Sequence, residues 1–122
     1  MIRGLIIGHR DIASALAAAV NSITGQDSDI EFLSNNGLST SELSATIKKS
    51  ANNSDEYIII FVDVFGGSCW RAAKQARLSN SHILSGCNLP MLLSFVNKRE
   101  SYSFDELPAI LEHDGKRGVV LE

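Results

Sequence analysis

YIIIFVDVFGGS, residues 57–68, decides how this chain folds. The run from Tyr57 is apolar without alternation and ends at Asp63. A strand covered on one face alternates between apolar and polar. A strand covered on both faces, as in a parallel sheet between helices, does not. Residues 57–63 therefore read as a central parallel strand, and Gly66-Gly67-Ser68 leads into a helix read over 69–79.

On the N-terminal side, residues 2–7 (IRGLII) read as another short buried strand. Residues 11–24 follow as a helix with Ile12, Leu16, Ala19, Val20 and Ile23 on its inner face, Asp11 as cap and Gly25 as stop. Residues 29–33 (DIEFL) are a strand, and Asn35-Asn36-Gly37 a turn. Ser39 or Thr40 caps a helix to about residue 51, with Thr40, Leu43 and Ile47 inward, and residues 52–55 form a polar loop.

On the C-terminal side, residues 82–86 (HILSG) read as a short strand. Residues 89–97 fit helix or strand, and Pro90 at a first turn favours helix. Ser103-Phe104-Asp105-Glu106 has the form of a capping box, with Pro108 kinking the first turns or delaying the start, and Gly115 or Gly118 ending the helix. The tail GVVLE reads as a last short strand. The alternation of strands and helices gives an α/β class: one three-layer domain over residues 1–122 with a mainly parallel sheet.

The bulk composition agrees with this class. A chain of 122 residues with 44% apolar and 20% charged residues is long enough to bury a proper core. Its net charge of −3 argues against nucleic acid as the main partner. No apolar run approaches the ~20 residues that span a bilayer. The N-terminus starts with strand-like sequence and lacks a signal-peptide layout, so a cytoplasmic protein is expected. Cys69 and Cys87 are then reduced and read as small packing residues. Neither has a C-x-x-C or Cys/His spacing, so no zinc site is expected, and nothing in the sequence requires a metal or another cofactor. Trp70 reads as partly exposed packing, His82 and His113 as surface or strand-edge residues, and the KKS and KRE charges as solvated faces.

In open parallel sheets the working crevice lies beyond the carboxyl ends of the strands. The strand over 2–7 runs on into Gly8-His9, and the strand over 57–63 ends in Asp63. In the common order 2-1-3-4 these two are neighbours, ~4.8 Å apart. A carboxylate bonded to one imidazole nitrogen fixes the tautomer and leaves the other lone pair free. Gly66, Gly67 and Ser68 open a helix, offering backbone N–H groups and a positive dipole end that suit a phosphoryl group. Together these residues propose a histidine that carries phosphate. No Walker or dinucleotide fingerprint is present. A receiver domain with Asp63 as phosphoacceptor is disfavoured, because its Mg²⁺ site needs an acidic pair where this chain has Gly8-His9.

GLIIGHRDIASAL, IIIFVDVFGGSCWRAA, ILSGCNLPMLL and SFDEL carry a likeness that runs nearly end to end. The chain resembles the mannose-type enzyme IIA domain (mannose/fructose/sorbose superfamily) of the bacterial phosphoenolpyruvate:sugar phosphotransferase system. The resemblance implies that His9 accepts a phosphoryl group from phospho-HPr and passes it to a separate IIB protein during carbohydrate uptake. It also implies that Asp63 orients His9 and that Ser68 and nearby amides contact the phosphate. It implies a homodimer that exchanges its last strand, here residues 118–122, and contact with the membrane subunits only through IIB. The family usually reads Thr-His-Gly around the nucleophile, and here it is Gly8-His9-Arg10. The family usually has Pro after Gly-Gly-Ser, and here it is Cys69. Arg10 is a candidate modulator, which either pairs with phosphate or alters partner docking. The altered flanks keep a second reading open: a regulatory module of the same fold whose phosphorylation controls a partner protein.

Overall fold

The structure is a computed structural model that describes residues 1–51 and 55–122. The expected polar loop over 52–55 falls mainly outside the described residues. The element order is β1 (Arg3–Gly8), α1 (Ile12–Thr24), β2 (Glu31–Ser34), α2 (Thr40–Ala51), β3 (Ile58–Val62), α3 (Ser68–Ala76), β4 (Ser81–Ser85), α4 (Leu89–Lys98) and α5 (Leu107–Arg117). The four strands form one parallel sheet in the order β2-β1-β3-β4, as expected from the sequence.

The unbroken apolar run of β3 is explained by its two covered faces. Ile59 and Phe61 join Ile6 in a core beneath α1, α4 and α5. Ile58, Ile60 and Val62 join Leu5 and Ile7 in a second core beneath α2 and α3. All five β3 residues are buried. Gly4 is needed for packing: a Cβ there would lie 2.6 Å from the Phe95 ring. That ring in turn meets Phe61 edge-on at 5.3 Å.

The helix ends follow local chemistry. At α2, Ser39 and Glu42 form a reciprocal capping box: the Glu42 N–H donates to Ser39 Oγ at 3.1 Å, and the Ser39 N–H to Glu42 Oε1 at 3.0 Å. Residues 89–97 are helical, and Asn88 caps α4 by accepting from the Met91 N–H at 3.0 Å. The Ser103/Glu106 box also forms, yet α5 starts only at Leu107, with Pro108 in its first turn. Gly25 ends α1 in the left-handed region at φ 72°.

Five expectations need correction. The inner face of α1 is Ala13, Ala17 and Val20, with Leu16 packed beside them, while Ile12 and Ile23 are exposed. Alanines facing the sheet let the helix lie close, which rotates the larger side chains outward. Asp11 precedes α1 but its side chain makes no cap hydrogen bond. Helix α3 stops at Ala76, because Arg77 turns left-handed at φ 49°. The KRE segment is not a solvated face: Arg99 is buried and donates to the carbonyls of Ser28 (2.9 Å) and Ile2 (2.5 Å). Lys98 meets Asp114 at 2.6 Å. Finally, the tail is not a strand within this chain. Residues 118–122 pair with no strand among the described residues, and Val119, Val120 and Leu121 are 81%, 69% and 99% exposed. No described helix is long and apolar enough to cross a membrane.

Candidate active site

Strand register builds the site. Ile7 of β1 is level with Val62 of β3, and Gly8 with Ser34 of β2. The next residues along the three strands, His9, Asp63 and Asn35, therefore emerge side by side at the carboxyl edge. Helix α3 begins directly above them at Ser68.

Asp63 Oδ2 accepts two bonds from His9, one from its backbone N–H at 2.9 Å and one from ring Nδ1 at 2.6 Å. Asp63 Oδ1 accepts the Val64 N–H at 2.9 Å. Burial pushes the Asp63 carboxyl up, but the hydrogen bonds from His9 and Val64, joined by the ring's charge when the imidazole is protonated, outweigh it and hold it below its ordinary range. An ionised carboxylate can only accept, so Nδ1 carries the ring proton and Nε2 keeps a lone pair. Nε2 lies 3.3 Å from Ser68 Oγ, at the N-terminal end of α3. The His9 side chain is 45% exposed and that of Asp63 only 11%, so the imidazole is open to solvent and the carboxylate is largely covered.

The glycines earn their places by conformation and closeness. Gly66 is left-handed at φ 81°, and a Cβ on Gly67 would press on Val64 Cγ1 at 3.0 Å. His9, Asp63, Gly67 and Ser68 are thus gathered in one place, with Gly66 in the turn that delivers them.

Two further residues belong here that the sequence reading assigned elsewhere. Asn35, read as a turn residue, donates from Nδ2 to Ser68 Oγ at 3.4 Å and accepts the Arg10 N–H at 3.3 Å. Its signal was its place one step beyond a strand end. Cys69, read as packing, is indeed fully buried, but its Sγ is 3.8 Å from His9 Nδ1. Burial, aided by the Asp63 charge, pushes its thiol up to about 11. Cys87 is held protonated in the same way, at about 12.

The family model EIIA-man, described as PTS system fructose IIA component, matches residues 4–112. The chain belongs to this enzyme IIA family. It is 27% identical over 112 residues to the PTS system sorbose-specific EIIA component of Klebsiella pneumoniae, covering 88% of this chain and 82% of the relative. Its fold matches phosphotransferase system component EIIA from Streptococcus agalactiae with a TM-score of 0.89 at 20% identity, over 99% of this chain and 97% of that one. It also matches a mannose/sorbose specific IIA subunit from Enterococcus faecalis with a TM-score of 0.85 at 21% identity, over 98% and 93% of the two chains. The protein is thus an enzyme IIA component of a sugar phosphotransferase system.

Within this enzyme IIA the unusual flanks of His9 have local causes. Arg10 occupies the left-handed region at φ 51°, where glycine is at ease and arginine is strained. The loop is held there from the end of β2: Asn35 accepts the Arg10 N–H, and Ser34 Oγ donates to the Arg10 carbonyl at 2.7 Å. A Cβ on Gly8 would sit 2.4 Å from Ile12 Cγ2, so a larger residue there requires the exposed Ile12 side chain to move. An open cavity of about 400 Å³ lies on this side of the ring, lined by His9, Arg10, Asn35, Asn36 and Gly37.

Proposed function

We propose that this enzyme IIA is a phosphohistidine carrier, taking a phosphoryl group from phospho-HPr onto His9 Nε2 and donating it to a separate IIB protein. The observation that carries this reading is the 2.6 Å contact between His9 Nδ1 and Asp63 Oδ2, which leaves Nε2 facing the start of α3. The Nε2 lone pair attacks phosphorus, and the bond from phosphorus to the donor histidine breaks with its electrons returning to that ring. His9 then bears phosphoryl on Nε2 and a proton on Nδ1. Asp63 neutralises the cationic ring that results. The Ser68 hydroxyl and the N–H groups around Gly66 and Gly67 receive the phosphoryl oxygens. In the second transfer the electrons of the N–P bond return to Nε2 as IIB attacks. Positioning and charge carry both steps.

The reading includes a cytoplasmic homodimer. Support comes from the exposed apolar tail at 119–121 and from β4, which pairs only with β3 among the described residues. Beside β4 lies a groove of about 470 Å³ that includes Phe65, Trp70, Ile83 and Val119. Residues 118–122 of one copy would add a strand to β4 of the other.

The test is phosphorylation with phosphoenolpyruvate, enzyme I and HPr, read by intact mass. Wild type gains ~80 Da in an acid-labile form and His9→Ala gains nothing. Phosphate uptake by His9→Ala overturns the site assignment. Wild type that takes phosphate but never donates it to IIB favours the regulatory reading, in which the charge added at His9 switches a partner's affinity.

A further inference from the structure

His9 has a sulfur atom on the side away from Nε2. A ring nitrogen of His9, a carboxylate oxygen of Asp63 and Sγ of Cys69 all lie within 4.8 Å of one another, and Nδ1 is 2.6 Å from Asp63 Oδ2 and 3.8 Å from Cys69 Sγ. They come from the ends of two neighbouring strands and from the first turn of α3. Imidazole, carboxylate and thiolate are each zinc ligands, with bonds of ~2.0 to 2.3 Å. Around a tetrahedral ion such atoms stand roughly 3.3 to 3.7 Å apart. The Nδ1 to Sγ separation of 3.8 Å lies just above that range. The Nδ1 to Oδ2 separation of 2.6 Å is shorter because a proton lies between them. A cation in place of that proton requires the half-exposed His9 ring to swing outward by ~0.7 Å.

We propose that His9, Asp63 and Cys69 form a site for a thiophilic divalent cation of the zinc class, which displaces the proton shared by His9 and Asp63. The three side chains supply three ligands, and water completes the set. Cys69 gives its thiol proton to solvent, and the His9 proton is exchanged through water from Nδ1 to Nε2. The Nε2 lone pair is then occupied, so the cation and the phosphoryl group exclude each other. That consequence rests on the carrier reading, whereas the metal site itself does not. Residues 9, 63 and 69 have no metal-motif spacing, so only the folded chain brings the ligands together.

The test uses the reduced full chain, titrated with Co²⁺ in a phosphine reductant without oxygen and read by absorbance. Wild type saturates at one equivalent with a thiolate-to-cobalt charge-transfer band, which Zn²⁺ bleaches. Cys69→Ala removes the band and weakens binding by more than the ~10- to 100-fold that outer-shell changes cost. Cys87→Ala keeps the band. His9→Gln alters a half-exposed side chain, leaves the cores intact and weakens binding to the same degree. Circular dichroism establishes that each variant is folded. A band that survives in Cys69→Ala, or no binding at one equivalent in wild type, overturns the site. In the phosphorylation assay Zn²⁺ suppresses the gain of ~80 Da in wild type, and the ratio with and without Zn²⁺ moves towards one in Cys69→Ala. A chain that binds cobalt through Cys69 but takes no phosphate without metal refutes the carrier reading and keeps the site. A chain that takes phosphate but binds no cobalt does the reverse.

Discussion

Asp63→Asn separates orientation from charge at His9. Asp63 accepts three N–H groups, two from His9 on Oδ2 and one from Val64 on Oδ1. An asparagine has a single oxygen. Turned towards His9, it keeps both of those bonds but points its NH₂ at the Val64 N–H, donor against donor. Turned the other way, it loses both bonds to His9. The first arrangement is therefore preferred, at the cost of one bond lost and two weakened from charged to neutral. That amounts to about 1–3 kcal/mol, or a fall in Tm of roughly 4–12 °C at ~4 °C per kcal/mol. The Nδ1–H tautomer survives, so the transfer rate loses only the charge that neutralises the phosphorylated ring. A charged hydrogen bond exceeds a neutral one by ~1–2 kcal/mol, and the lost ion pair adds to this, giving a drop of about 10- to 100-fold. Asp63→Ala removes the oxygen as well and is slower still. The assays are thermal melting and quench-flow transfer from phospho-HPr. Asp63→Asn transferring within ~3-fold of wild type would refute the reasoning and leave Asp63 as a structural latch.

Other outcomes follow from particular contacts. Arg99→Met leaves the carbonyls of Ser28 and Ile2 without their buried donors and costs about 2–4 kcal/mol, measured as the shift in urea midpoint. Deleting residues 119–122 lowers the self-association constant in sedimentation experiments, because the exposed apolar tail is the proposed exchange strand; an unchanged constant rejects that interface. Acid sensitivity follows from Asp63 and Asp114, both held below the ordinary carboxylate range. For Asp63 burial opposes the shift and the bonds from His9 and Val64 overcome it, whereas for Asp114 the bonds from Lys98 and Ser94 lead. The stability that each gives is complete above the unfolded value of ~3.9 and is lost as pH falls through the lower folded value. Tm should therefore fall below about pH 4, and less steeply for the Asp63→Asn/Asp114→Asn double variant.

β1 and β3 were legible because their unbroken apolar runs match strands covered on both faces, and the common order 2-1-3-4 then places His9 beside Asp63 by backbone alone. What escaped the sequence depended on atoms that meet only after folding. The phase of α1 was set by Ala13 and Ala17 approaching the sheet, although Ile12 and Ile23 carry more apolar surface. Arg99 looked solvated because its acceptors, Ser28 and Ile2, are 71 and 97 residues away in sequence. The tail looked like a strand and has the composition of one, but a strand needs a partner, and residues 118–122 pair with no strand among the described residues. The same distinction divides the site. His9 and Asp63 extend strands, so topology predicts their meeting. Cys69 extends a helix, and which side chain a helix turns towards the ring depends on the angle at which it leaves Gly66 and Gly67. A sequence can therefore announce a carboxylate behind an imidazole while concealing the thiol beside it. The thiol, 3.8 Å from His9 Nδ1, is the group that the proposed cation site adds to that pair.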